Sequence, residues 1–220
     1  MNSIKTFFTP IRILTAIEFI IILTGAIIFQ LPLFNALPLL ISTVVMFLQA
    51  RVNRYAFLLG SLNSLLYAIA YFQMTLYSSA AYALLVSLPL QMFTFFNWRK
   101  HTYNNDTQIR TLSIPKRILL FADMGGAWLI LFFIFSVFGS SYLILDNTVS
   151  VLGIVGTLLC AWRYAEFTMI QWISGLAGLV TYTVMTFDDP SRCIWLIHTV
   201  YTCICSIITY INIRKKEKTS

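Results

Sequence analysis

ILLFADMGGAWLILFFIFSVF, residues 118–138, is an almost unbroken apolar run in which Asp123 is the only charged residue. A helix rises 1.5 Å per residue, so about 20 such residues cross the roughly 30 Å hydrocarbon core of a bilayer. Seven further runs of this kind occur along the 220 residues: Ile13–Phe29, Leu33–Ala50, Tyr55–Gln73, Leu76–Asn97, Leu143–Trp162, Phe167–Phe187 and Cys193–Ile213. Backbone groups find no water in lipid, so these runs predict an all-α, multi-pass integral membrane protein with about eight transmembrane helices. We interpret the first run as a span rather than a removed signal, because no A-x-A-like site follows it.

The basic residues predict the orientation of these helices. Lys and Arg are retained on the cytoplasmic side of membrane spans. Of the 15 Lys and Arg, only Arg192 falls in the connections that follow the odd-numbered runs. The pattern therefore predicts that both termini are cytoplasmic. The net charge of +7 records this topology, and it does not indicate nucleic-acid binding, because the basic residues form no continuous face of a soluble domain.

Composition also limits the chemistry of the chain. With 59% hydrophobic and 10% charged residues, the spans use nearly the whole sequence, which leaves no room for a soluble catalytic domain. The acidic residues are scattered, and neither His101 nor His198 has a C-x-x-C pair nearby, so we predict no enzyme, no metal and no cofactor. Glu18 and Asp123 fall within about two turns of a positive-side span end, where each could snorkel or pair; a proton-coupled carrier stays an alternative.

Two short internal matches predict a repeat. Arg54–Tyr55–Ala56 recurs as Arg163–Tyr164–Ala165, and Asn97-x-Arg99–Lys100 recurs as Asn212-x-Arg214–Lys215. A single connecting helix between two three-helix units gives 3+1+3 parallel repeats, an arrangement that places substrate between the halves near the midplane. The predicted units are residues 33–100 for the first repeat, 117–140 for the connecting helix and 143–213 for the second repeat.

Polar side chains inside the predicted spans are the candidates for substrate binding, because such groups are costly in lipid and usually face a cavity. Aromatic faces with neutral hydrogen-bonding groups suit a flat heterocycle that carries hydroxyls. Asn63 and Gln91 could instead join helices, His198 could be structural, and Trp98 and Trp162 could belong to interfacial belts. The predicted cavity residues are Asn63, Tyr67, Gln91, Gln171, Trp172, His198 and Tyr201.

The spacing of these residues is similar to that of a known family. The run Asn53…Gly60-x-x-Asn63-x-x-x-Tyr67, followed by Leu76–Tyr77, Pro89-x-Gln91 and Trp98, resembles the PnuC-type vitamin transporters. In the second half, Asp146–Asn147, Arg163-x-x-Glu166 and Trp172 look like the same family. The resemblance covers roughly residues 35 to 213, and it leaves the first span as an N-terminal addition to a seven-helix core.

The resemblance implies a SWEET-like fold, a homotrimer and a place in the inner or plasma membrane of a bacterium. It also implies facilitated uptake, by uniport, of nicotinamide riboside or a related nucleoside-like vitamin, which a cytoplasmic kinase then traps by phosphorylation. Related branches carry thiamine, riboflavin or deoxynucleosides, so the identity of the substrate stays open at this point.

Overall fold

The protein is described by a computed structural model that covers residues 2–100, 102–103, 106–107 and 109–217, with side chains for 11–100 and 109–214. Eight helices in it are long and apolar enough to cross a membrane. The prediction of an all-helical chain with about eight spans is therefore confirmed; His101 lies outside the described residues. The helices are α1 Asn2–Ile28, α2 Leu33–Ala50, α3 Tyr55–Gln73, α4 Tyr77–Lys100, α5 Ile114–Val137, α6 Leu143–Ala161, α7 Phe167–Asp188 and α8 Cys193–Glu217.

The short elements lie between the spans. Strands Thr102–Tyr103 and Asp106–Thr107 pair as a two-residue antiparallel ribbon between α4 and α5. A single 3₁₀ turn, Pro190–Arg192, precedes α8, and Asp189 caps it by accepting a hydrogen bond from the Ser191 amide. Most of the chain thus lies in the membrane-spanning helices.

Helix α4 is not uniform along its length. It is α-helical over Tyr77–Ala81 and Leu88–Lys100, and π-helical over Tyr82–Ser87. Pro89 has no N–H to bond a carbonyl in the preceding turn, so the regular α-helical ladder is interrupted there. The wider turn lies where α4 faces the centre of the bundle, because Tyr82, Ala83 and Ser87 of this turn line a central cavity.

The helices pack as two sets of three with two further helices outside them. In sequence order α2 packs on α3 and α3 on α4, while α6 packs on α7 and α7 on α8. The sets meet where α2 contacts α8 and where α4 contacts α6. Helix α1 packs on α2 and α8, whereas α5 packs mainly on α6 and has no buried residue.

Two asparagines make the same contact in opposite directions across the junction of the sets. Asn97 Nδ2 in α4 donates to the carbonyl of Ala161, the last residue of α6, at 2.7 Å. Asn212 Nδ2 in α8 donates to the carbonyl of Ala50, the last residue of α2, also at 2.7 Å. Both alanines are fully buried, which lets the helices approach closely. This reciprocity is the arrangement that a repeat of three helices would produce.

The Arg–Tyr–Ala triplets do not occupy matching places. Arg54 precedes α3 with φ −60°, whereas Arg163 lies in the α6–α7 connection with φ 65°; the positive-φ residue after α2 is Val52. Trp98 also differs from an interfacial tryptophan, because it is buried and donates from Nε1 to the Cys160 carbonyl at 2.9 Å. Trp162, in contrast, is half exposed.

Candidate functional site

A cavity of about 290 Å³ lies where the two sets of helices meet. Its lining comes from α2, α3 and α4 on one side and from α6, α7 and α8 on the other; within the described residues, neither α1 nor α5 contributes to it. The volume is at the lower end of the range for small-molecule sites. The polar and aromatic lining includes Ser42, Gln49, Asn63, Ser64, Tyr67, Tyr71, Tyr82, Ser87, Gln91, Gln171, Tyr182, Trp195 and His198.

The carboxamide of Gln91 is held by a small hydroxyl cluster. Its Nε2 donates to Ser87 Oγ at 2.6 Å and to Ser64 Oγ at 3.3 Å, and the two serine hydroxyls are 2.9 Å apart. Gly60 in α3 makes room for this group, because a Cβ at Gly60 would lie 2.0 Å from Gln91 Oε1. Any side chain at position 60 would therefore clash with the Gln91 carboxamide in its observed place.

Three buried polar atoms of lining residues have no hydrogen-bond partner within the protein: Asn63 Oδ1, Gln171 Oε1 and Trp195 Nε1. The amide nitrogens beside the two oxygens are already used. Asn63 Nδ2 donates to the Pro38 carbonyl at 2.9 Å, and Gln171 Nε2 donates to Gln49 Oε1 at 3.1 Å. These bonds fix the orientation of both amides and leave two acceptors and one donor of cavity-lining residues without a partner.

Aromatic rings form the wall beside these groups. Tyr67 stacks on Tyr71 with ring centroids 5.3 Å apart, and Trp195 contacts Tyr67 at 5.8 Å and Tyr182 at 5.7 Å. Their faces offer stacking surface and negative quadrupole, which suit a flat and electron-poor ring. Tyr82 also lines the cavity, and its hydroxyl pairs with Thr157 at 2.8 Å.

His198 is the one imidazole among the described lining residues, and both its ring nitrogens have partners. Nε2 lies 3.0 Å from Ser42 Oγ, and Nδ1 lies 3.1 Å from Glu18 Oε1. Both His198 and Glu18 are buried. Glu18 therefore does not snorkel to a span end; it pairs in the interior, across 180 positions of sequence. Asp123 behaves differently and is exposed on α5.

Five of the seven predicted residues come together at the cavity, and two do not. Asn63, Tyr67, Gln91, Gln171 and His198 line it. Trp172 is 40% exposed on the outer side of α7, because it directly follows Gln171 and a step of one residue turns a helix by about 100°.

Tyr201 is buried outside the cavity lining. Its hydroxyl lies 3.0 Å from Thr15 Oγ1 and donates to the Thr43 carbonyl at 3.1 Å, so it joins α8 to α1 and α2. The placement of Trp172 and Tyr201 in one central cavity was thus wrong. Eight of the polar and aromatic lining residues named above are not in the predicted set: Ser42, Gln49, Ser64, Tyr71, Tyr82, Ser87, Tyr182 and Trp195.

The arrangement is suited to binding a neutral or cationic aromatic solute and offers little for bond chemistry. No Lys, Arg, Asp or Glu is among the described residues that line the cavity. Within the described part of the chain, no group of three His, Cys, Asp or Glu could hold a metal ion. The cavity can therefore supply stacking, directed hydrogen bonds and one histidine.

Comparisons with known proteins concern the family and the fold of this chain. The model of a family described as nicotinamide mononucleotide transporters matches residues 32–215. Over 179 residues the chain is 26% identical to the nicotinamide riboside transporter PnuC of Neisseria mucosa; the match covers 77% of this chain and 66% of that protein, slightly less than two thirds of its length. The crystal structure of the vitamin B3 transporter PnuC has the same fold, with a TM-score of 0.81 and 19% identity over 94% of this chain and 91% of that one.

Proposed function

This chain belongs to the family described as nicotinamide mononucleotide transporters, and on that premise we propose that it mediates facilitated uptake of nicotinamide riboside. The family consists of transporters rather than enzymes, which agrees with a chain built almost entirely of membrane-spanning helices. The observation that carries the choice of substrate is the set of unpartnered polar atoms on cavity-lining residues, together with the lack of Lys and Arg among the described residues of the lining.

The chemistry of nicotinamide riboside complements those atoms. Its carboxamide N–H₂ can donate to Asn63 Oδ1 or Gln171 Oε1, and its carbonyl or a ribose oxygen can accept from Trp195 Nε1. The electron-poor pyridinium ring can stack on Tyr67 or Trp195. Thiamine, riboflavin and deoxynucleosides are the alternative substrates, and they match this combination of carboxamide and compact cationic ring less closely.

The phosphate separates nicotinamide riboside from its mononucleotide. A phosphate group in a desolvated cavity needs Lys or Arg, because its charge is otherwise very costly to bury. In the part of the chain that the structure describes, the lining contains neither residue. We therefore favour the unphosphorylated riboside, which a cytoplasmic kinase would trap after entry.

The transport step follows from where the cavity lies. It is enclosed by α2–α4 and α6–α8, so rocking these two sets about a bound ligand would open either end in turn. This supports the 3+1+3 arrangement and a uniport mechanism. The exposed apolar surface of α5 supports contact with lipid and with neighbouring subunits of a homotrimer. The charge pattern supports cytoplasmic termini, and the relative from Neisseria mucosa supports a bacterial plasma-membrane protein.

A binding and transport series tests this proposal. Purified protein is titrated with nicotinamide riboside, its 5′-phosphate, thiamine, riboflavin and deoxynucleosides, and the ligands that bind are then followed into liposomes with and without proton or sodium gradients. We expect tight binding of nicotinamide riboside alone and saturable equilibration that no gradient changes. Tighter binding of the phosphate would refute the cavity argument, and accumulation that requires a gradient would refute the uniport.

A further inference from the structure

Helix α1 contributes no lining residue within the described part of the chain, yet it delivers a buried carboxylate directly behind the cavity. Glu18 is 3% exposed, and its Oε1 lies 3.1 Å from Nδ1 of the lining residue His198. His198 in turn contacts Ser42, which lines the cavity on the opposite helix. The carboxylate is thus one side chain away from a bound ligand.

The groups around Glu18 and His198 set the charge at the back of the cavity. The titratable groups that interact with Glu18 from the neighbouring helices are Tyr67 on α3 and Tyr201 and Cys205 on α8. Phenols and thiols are uncharged near neutral pH, so none of them supplies a positive charge. Arg12 on α1 and Arg192 before α8 are the nearest basic residues in sequence, and each is six positions from its member of the pair. Among the described residues, His198 is the basic side chain in contact with Glu18.

We propose that Glu18 is the residue that selects a cationic substrate. Its carboxylate lies behind the cavity, in contact with the lining residue His198, and no Lys or Arg is among the described lining residues. A permanently cationic solute such as an N-ribosylpyridinium is therefore attracted to Glu18, whereas a neutral solute of the same shape is not.

The inference rests on the proposed function, because it concerns the charge of that same substrate. Its expected size follows from Coulomb's law. A cation about 8 to 10 Å from a carboxylate, at an effective dielectric constant of about 20, gains roughly 15- to 30-fold in affinity. A neutral ligand of the same shape gains nothing from this interaction.

The test compares two ligands that differ in charge and share their shape: nicotinamide riboside, which is cationic, and its 1,4-dihydro form, which is neutral. Affinities of both are measured by calorimetry for the wild type, Glu18→Gln and Thr15→Val. Glutamine keeps the length of the side chain and can still pair with His198. Thr15→Val is the matched control, because it removes an α1–α8 hydrogen bond to Tyr201 and no charge.

We expect Glu18→Gln to weaken binding of the cation about 10- to 30-fold and to change binding of the neutral form by less than about 3-fold. The control variant should leave the ratio of the two affinities unchanged. An equal loss for both ligands in Glu18→Gln would overturn the inference and make the pair a packing element. Absence of nicotinamide riboside binding in the wild type would instead refute the proposed function itself.

A second variant covers the case in which Glu18→Gln does not insert. His198→Gln leaves the carboxylate in place and keeps a side chain that can pair with it, so the preference for the cationic ligand should persist. A preference that falls in this variant would also overturn the inference.

Discussion

Gly60→Ala should impair binding while leaving the protein folded. A Cβ at this position would lie 2.0 Å from Gln91 Oε1 and 3.1 Å from Gln91 Cδ, and only 3.5 Å from Val45 Cγ1. The obstacle is the end of a flexible side chain, so the carboxamide can swing away without moving the backbone of α3. Doing so breaks its bonds to Ser87 and Ser64.

The substitution should change the stability of the fold little and the affinity for the ligand more. Alanine in a helix interior gains about 0.5–1 kcal/mol over glycine, and the lost carboxamide bonds cost about 0.5–1.5 kcal/mol each. These terms offset to within about 2 kcal/mol, which predicts a small change in melting temperature. A ligand that loses its amide contact leaves a polar group unsatisfied, which costs about 1–3 kcal/mol, or roughly a 5- to 150-fold weaker Kd.

The assay is calorimetry with nicotinamide riboside on Gly60→Ala, Gln91→Ala and the double variant, with melting curves of the ligand-free proteins. If Gly60 acts through Gln91, the second substitution should add little to the first. Gly126→Ala on α5 is the matched control, because a Cβ there meets nothing within 4 Å. Unchanged affinity in Gly60→Ala, or additive losses in the double variant, would refute this reasoning.

Three further predictions concern architecture. Asp146→Ala should lower the free energy of unfolding by about 3–5 kcal/mol in melting experiments, because it deprives Ser78 and Ser79 amides at the start of α4 of a buried acceptor; a shift of less than 2 °C would contradict this. Asn97→Ala and Asn212→Ala should each cost about 1–2 kcal/mol by leaving a buried carbonyl unpaired, and losses that differ by more than about threefold would argue against equivalent roles. Reporter fusions after residues 100 and 220 should both read cytoplasmic, and an external signal at either would overturn the orientation.

Hydropathy was sufficient to predict the helices, because crossing a bilayer imposes a length and a composition on each span. The first, second and third runs end within a few residues of the observed helices. What the pattern could not give was the π-helical turn at Tyr82–Ser87, since Pro89 predicts an interruption but not its geometry. The Arg–Tyr–Ala match is not evidence for the repeat, because the two triplets occupy different places in the structure. The reciprocal bonds of Asn97 and Asn212 are better support for a repeat of three helices.

Site residues were predictable where a helix-forming stretch has one polar side. Asn63 and Tyr67, four residues apart on α3, face the cavity together. Polarity alone could not distinguish an inward from an outward residue on α7, where Gln171 faces the cavity and Trp172 does not. Nor could it show that Tyr201 bonds Thr15 and Thr43, since partners far apart in sequence are set by packing.

The Glu18–His198 pair raises the question of what a buried charge contributes to a helix that is otherwise suited to lipid. Few residues of α1 are buried, but Glu18 is among them. A buried ion pair is weak evidence for stability, because apolar residues of similar volume often replace such pairs at no cost. Intramembrane ionisable groups cost several kcal/mol and usually serve binding or transport. Stability alone therefore does not account for this pair, whereas a cationic substrate in the adjacent cavity would.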